Sequence, residues 1–378
     1  MLLKPVKDVL SPYYRNLFGW RTSRRLLVVE SDDWGSIRMP SRTVYEKCLK
    51  DGYPVDQTSF ERYDSLLSDD DLDHLFDLLK GLADAAGRRP VLTANVIMSN
   101  PDFAAIREND FKTYQFEPLQ KTFARYPKHA RSLEKWKHAI QEGFFFPQFH
   151  GREHLNVERF MAALRANDPV ARFAFDHEMP GCIPKGTRNM PNRFVETTRF
   201  QSEREKEQVK LAQVQGLEMF KQLFGFSSRT LTPTNYVWSE DFDSDVMRAG
   251  VEALQGVSVM SLQQNDGTSV RRRRVLGART RSGQTNLVRN AFFEPSSSSE
   301  SPMRTADKCL YQVAASFRMR KPAVISSHRV NFCGFIDSRN RDQNLRAMDY
   351  LLRSILKRWP DVEFISSVEL LDIIDEKA

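Results

Sequence analysis

Leu26-Leu27-Val28-Val29-Glu30-Ser31-Asp32-Asp33 is an apolar run that ends in two adjacent carboxylates. Its length and its Leu and Val content are those of a buried strand. Two acids at the end of such a strand are costly to ionise unless something compensates them. A divalent metal is the commonest compensator, and His150-Gly151-Arg152-Glu153-His154 offers two imidazoles to help hold it. One Asp then ligates the metal while its neighbour stays free to move protons, an arrangement that suits hydrolysis.

Similar strand signals recur at residues 91–97, 144–149, 229–232, 257–260, 285–293, 323–327 and 362–365. Between and around them, helical spacing is read at 69–86, 116–142, 155–166, 201–224, 242–249, 305–319, 340–358 and 367–375. Alternating strands and helices predict an α/β fold with a parallel sheet or a (β/α) barrel. Asp32, Asp33, His150, Tyr236 and His328 all stand just after strands, and reacting groups in such barrels gather at the C-terminal ends of the strands. Residues 1–25 read as a basic, aromatic arm that packs on the barrel or meets a membrane surface. Residues 26–378 read as a single barrel domain with an irregular, Pro-, Gly- and Asn-rich excursion near 171–200.

Composition narrows the class. The chain is 40% hydrophobic and 28% charged, as soluble globular proteins are. Its net charge of +7 favours acidic partners, but no nucleic-acid motif accompanies it. Cys48, Cys182, Cys309 and Cys333 form no CxxC pair, which argues against a zinc ribbon and a disulfide scaffold. Reduced, partly buried thiols are expected instead. No stretch reads as a signal peptide or a membrane span, so a complete chain is expected to stay in the cytoplasm.

Each candidate residue has a plainer reading beside the chemical one. Asp32-Asp33 also suits a tight turn with a helix cap. His150 and His154 also suit solvent or core. Their spacing literally matches the inverted zinc-protease pattern H-x-x-E-H, with Glu153 as base. That chemistry needs a helix through both histidines, and Pro147, Gly151 and the strand-like 144–146 oppose one. His328, in Ser326-Ser327-His328, is a candidate general acid or a core histidine bonded to a carbonyl. Arg271 to Arg274 read as a solvated loop, or as a contact for an anionic substrate or lipid carrier.

The order of strand-end Asp-Asp, H-x-x-x-H, a Pro/Tyr strand end and a late S-x-H resembles the polysaccharide deacetylases, carbohydrate esterase family 4. The resemblance runs from Leu26 to Asp375. It implies a distorted (β/α) barrel of about seven strands. It further implies Asp32 as catalytic base, Asp33, His150 and His154 as metal ligands, and His328 as general acid. The implied cofactor is a divalent metal, zinc first, with nickel, cobalt or iron also accepted by such a ligand set. The implied activity is removal of N- or O-acetyl groups from a sugar or glycan, anionic or lipid-linked forms included. Two alternatives stand beside it: a related barrel hydrolase acting on other C–N bonds such as cyclic amides, and a degenerate barrel that binds glycan without turnover.

This chain departs from the family pattern at three places. Glu30-Ser31 replaces Thr-Phe before the aspartates. Leu231-Thr232-Pro233-Thr234-Asn235-Tyr236 keeps Pro and Tyr, the expected oxyanion region, but lacks the family's Arg; Arg229 comes too early. Arg289 is the candidate to brace the base from another strand. The family's Asp/Trp pair that tunes the acid has no clear counterpart, and Glu294 is the candidate in its place. Trp34, Tyr236 and Trp238 are read as sugar-facing aromatics or as core.

Overall fold

The computed structural model describes residues 10–187 and 194–376. Among them nine strands build one parallel sheet: β1 (Arg25–Trp34), β2 (Leu92–Ile97), β3 (Phe145–Gly151), β4 (Thr230–Leu231), β5 (Ala253–Val257), β6 (Thr285–Arg289), β7 (Ala291–Phe292), β8 (Ala323–His328) and β9 (Val362–Phe364). Their spatial order is β6-β5-β4-β3-β2-β1-β8-β7, with β9 beside the start of β1. β6 and β7 are one run interrupted at Asn290. Its first half pairs with β5 and its second half with β8, so the two ends of the ladder meet. The result is the expected distorted barrel of seven staves, with β9 flanking it.

Alternation along β1 sorts the core. Leu27 and Val29 join the large cluster formed with the surrounding helices. Leu26 and Val28 instead pack with Leu287, Val324 and the apolar face of the closing helix α1 (Ser367–Asp375). Further along the same face stand Glu30 and Asp32, so the upper barrel is polar. Gln148, Thr230, Gln255 and Ser367 satisfy one another there by hydrogen bonds.

Several boundaries differ from the sequence expectation, each for a local reason. The stave expected at 257–260 is β5, at Ala253–Val257; Gln255 and Gly256 break its apolar pattern, and Gln255 is buried by the polar interior. Val259–Gln263 leaves the barrel to pair with Ser269–Arg273 and Val237–Trp238 in a side sheet. Arg271 to Arg273 therefore lie on a strand rather than a loop, and Arg274 is buried. The expected helix at 116–142 is divided: Phe116–Pro118 pairs with Ser99–Pro101, and helices run over Leu119–Arg125 and Ser132–Gln141. Pro127, which has no N–H to donate, begins the turn between them. The excursion near 171–200 begins as a helix, Pro169–Asp176, because Asp168 Oδ1 accepts from the Val170 and Ala171 N–H groups. Its residues 188–193, like arm residues 1–9, lie outside the described residues. All four cysteines are buried. No helix among the described residues is long and apolar enough to cross a membrane.

Candidate active site

Two backbone irregularities assemble the site. In a regular strand Asp32 and Asp33 would point to opposite faces. Here Asp33 takes a left-handed φ of 72°, and the pairing of β1 with β2 slips between Ser31 and Trp34. The kink turns both carboxylates into one cavity. On the other edge, the register sets Asp32 opposite His328. The second irregularity is Gly151, at φ 138°, a conformation that L side chains rarely adopt. It ends β3 and brings the His154 ring to 5.5 Å from that of His150.

Asp33, His150 and His154 converge as the motif predicted. Asp33 Oδ1 lies 3.3 Å from His150 Nε2 and 3.2 Å from His154 Nε2, and all three side chains are buried. His150 Nδ1 donates to the Thr232 carbonyl at 2.7 Å, which fixes the ring with Nε2 turned toward the carboxylate. Burial, reinforced by Arg38, pulls His154 down to about 4 against the attraction of Asp33. Burial alone would raise Asp33, but His154, Arg38 and His150 hold it well below the usual carboxylate range. One carboxylate oxygen facing two imidazole nitrogens, one ring fixed by its Nδ1 bond, is a donor set that fits a divalent cation, zinc included.

Asp32 sits in a different environment. Arg289 grips it with two bonds, Nη1 to Oδ2 at 2.6 Å and Nη2 to Oδ1 at 2.7 Å. The Nε of the same guanidinium donates to Glu30, which also accepts from Ser367 Oγ. Asn95 Nδ2 donates to Asp32 Oδ1 at 2.7 Å. Burial opposes ionisation of Asp32, yet Arg289, His150 and His328 keep it well below the usual carboxylate range. Arg289, from β6, thus braces Asp32, with Glu30 as its second anchor. Tyr236 Oη accepts from Arg289 Nη1 at 2.7 Å; burial pushes this hydroxyl up to about 12. Asn235 and Tyr236 both hold left-handed φ values, of 52° and 54°. The Tyr236 N–H turns back to the Pro233 carbonyl, so the side-chain hydroxyl, not this backbone N–H, faces the cavity.

His328 Nδ1 lies 2.7 Å from Glu294 Oε1, and Nε2 lies 3.8 Å from Asp32 Oδ2. Burial works against the imidazolium, but Glu294, Asp32 and Asp33 outweigh it and raise His328 to about 10. His328 is therefore protonated at neutral pH. Its raised value stabilises the fold fully below its ordinary 6.5, and that contribution is lost as pH rises through about 10. Replacing Glu294 with Gln is expected to lower the alkaline limb of the pH–rate profile by about one to three units. An alkaline limb that stays in place in that variant dismisses Glu294 as the tuning group.

Asp32, Asp33, His150, His154, Tyr236 and His328 share one cavity of about 380 Å3, within the range of small-molecule sites. Several of its lining residues escaped the sequence reading, Arg38, Phe60 and Glu61 among them. Arg38 approaches Asp33 Oδ2 at 3.3 Å, with its guanidinium 5.6 Å from the Phe60 ring centre. Glu61 lines the same wall, and burial raises it despite Arg38. No motif marks these residues. Asn95, a polar residue inside an apolar strand, was the one visible signal.

Two aromatics leave the sugar-facing reading. Trp34 is core: its Nε1 donates to Ser31 Oγ and its ring packs edge-on against Trp136 and Phe145. Trp238 is core as well, with Nε1 donating to Asp243 at 2.7 Å. The protease reading also fails. His150 is in a strand, and Glu153 is engaged by Arg152 instead of standing on a helix between the histidines.

No protein-family model matches the sequence, and no curated protein matches it. Solved structures do resemble its fold, several polysaccharide deacetylases among them. A probable polysaccharide deacetylase from Pseudomonas aeruginosa PAO1 is 9% identical, with a TM-score of 0.45 over 92% of this chain and 90% of its own. Puue allantoinase is 10% identical, with a TM-score of 0.43 over 93% and 90%. The 4-alpha-glucanotransferase from Thermococcus litoralis is 8% identical, with a TM-score of 0.44 over 92% of this chain, which spans 40% of that protein's length.

Proposed function

We propose that this chain is a metal-dependent hydrolase that removes an N- or O-acetyl group from a sugar. The observation that carries the reading is one carboxylate oxygen facing two imidazole nitrogens, at 3.3 and 3.2 Å, in a cavity that also holds an ionised Asp and a protonated His. Asp33, His150 and His154 would hold the cation. When bound there, it supplies Lewis acidity, acidifying water and polarising the acyl carbonyl.

The remaining steps fall to the protein. Asp32 takes the proton of the attacking water. Its Oδ1 is occupied by Asn95 and Arg289, but Oδ2 accepts a single bond and keeps a lone pair. The Tyr236 hydroxyl accepts from Arg289, which leaves its own hydrogen for the oxygen that gains charge during attack. His328 passes its Nε2 proton to the departing amine or alcohol. The faces of Phe60 and Tyr236 offer apolar surface to a sugar ring. The binding-only alternative rested on the missing arginine, and the bidentate grip of Arg289 on Asp32 supports the enzyme reading over it.

The test compares wild type with the double variant His150→Ala, His154→Ala. Wild type is expected to retain about one equivalent of zinc, nickel, cobalt or iron per chain and to release acetate from acetylated sugars. The double variant is expected to stay folded, bind none and release none. Metal retained at wild-type stoichiometry by the variant removes this site. Hydrolysis of cyclic amides without acetate release selects the other C–N hydrolase.

A further inference from the structure

The N-terminal arm wears its apolar side outward. Residues 10–15 are helical, and Leu10, Tyr14 and Leu17 follow at i, i+4 and i+7. This stripe and the adjoining Phe18 are 58%, 61%, 41% and 57% exposed, whereas Pro12 and Asn16 are buried against the barrel. Asn16 bonds Ser316 and Asn290, and Lys321 Nζ donates to the carbonyls of Phe18, Gly19 and Trp20. The arm is therefore anchored by its polar side, and among the described residues its apolar side chains remain largely exposed. Contiguous exposed apolar faces mark contact sites.

Beside this face lies a narrow cavity lined by Arg15, Phe18, Arg273, Arg274 and Lys321, with no acid in its walls. Among the described residues, none of these four cations forms an ion pair with an acid. Arg15 Nη1 and Arg274 Nε and Nη2 are buried without a hydrogen-bond partner. Asp243 and Glu240 act on Arg274 only at a distance. Arg273 instead lies over the rings of Tyr14 and Phe18, at 4.9 and 4.8 Å. Buried cations without a counter-charge are costly, and guanidinium groups match oxyanions such as phosphate.

We propose that this end of the molecule docks on an anionic phospholipid surface, with Tyr14, Leu17 and Phe18 at the interface and lipid phosphates drawn to the positive rim that exposed Arg273 forms over buried Arg274 and half-buried Arg15. Aromatic side chains beside arginines suit the charged boundary of a bilayer. A second copy of this chain is a poorer occupant, because a two-fold contact would set the same cations against each other. The arm enters the start of β1, whereas the catalytic cavity lies at the strand ends, so a docked molecule presents that cavity away from the membrane.

The test is co-sedimentation of the full chain at low salt with vesicles of phosphatidylcholine, with or without phosphatidic acid. Wild type is expected to pellet only with the anionic vesicles. Tyr14→Ser with Phe18→Ser, and Arg15→Gln with Arg274→Gln, are each expected to weaken binding about tenfold. Should the second pair fail to fold, the exposed Arg273→Gln replaces it, with a loss of about fivefold. Three results overturn the proposal: no pelleting with anionic vesicles, binding indifferent to Tyr14 and Phe18, or stabilisation by inorganic phosphate without vesicle binding. A dimer that Phe18→Ser dissociates, in protein that ignores vesicles, overturns it in favour of a contact between copies.

Discussion

Asp32→Asn is expected to slow acetate release about a thousandfold while bound metal stays at the wild-type level. The two halves of this result come from separate side chains. On the proposed function, metal would be held by Asp33, His150 and His154, which the substitution leaves in place. Hydrolysis, on the same proposal, would need the carboxylate that Arg289 keeps ionised and that lies 3.8 Å from His328. A carboxamide has the same shape but cannot take the proton. It also sets its own N–H hydrogens against the guanidinium, so a modest loss of stability accompanies the change. Acetate release and atomic absorption on the same sample check both halves. Activity within a few-fold of wild type takes the role of base from Asp32, and loss of metal shows that the two aspartates act as one ligand group.

Arg289→Met is the second large effect, and it falls on the fold. The guanidinium is fully buried between Glu30 and Asp32, which are buried too. Removing it leaves two carboxylates in the barrel without their cation, and breaking a buried pair in this way costs about 3–5 kcal/mol. The deficit depends on pH, with a sign that can be worked out. In wild type, Asp32 lies below its ordinary range, so its contribution is present above that range and lost as pH falls. Without Arg289, burial dominates and raises Asp32, so the folded variant favours the protonated form. Its deficit therefore grows as pH rises from about 5 to 8. Thermal or urea unfolding across that interval checks both size and slope. A loss under about 1 kcal/mol means that solvent reaches the pair and that its burial is not what holds it. Catalysis falls in the same variant, because Tyr236 and Asp32 lose their shared donor.

Much of this molecule was written in short-range pattern. The apolar runs ending at Asp32, His150 and His328 became staves β1, β3 and β8, because unbroken Leu, Val, Ile and Phe content leaves a buried strand as the simplest packing. The alternation with helices implied the barrel, and the resemblance named the five residues that now share one cavity. What misled the reading was polarity inside the barrel. Gln255 and Gly256 disguised β5, and Glu30 read as a departure from a family pattern, although both Gln255 and Glu30 are satisfied by partners distant in sequence.

The chain alone, then, determined which residue types stand at the strand ends and in what order, since local composition controls where strands form and stop. Only the tertiary structure decided which of them meet. Arg289 reaches Asp32 across 257 residues because the β6–β7 run closes the ring next to β8. Asp33 turns toward the same cavity as Asp32 because a left-handed residue and a slipped register reverse the usual alternation. Trp34 and Trp238 go to the core because helices and a side sheet cover them. None of these is a property of a short segment: each depends on distant parts of the chain being packed at the same time.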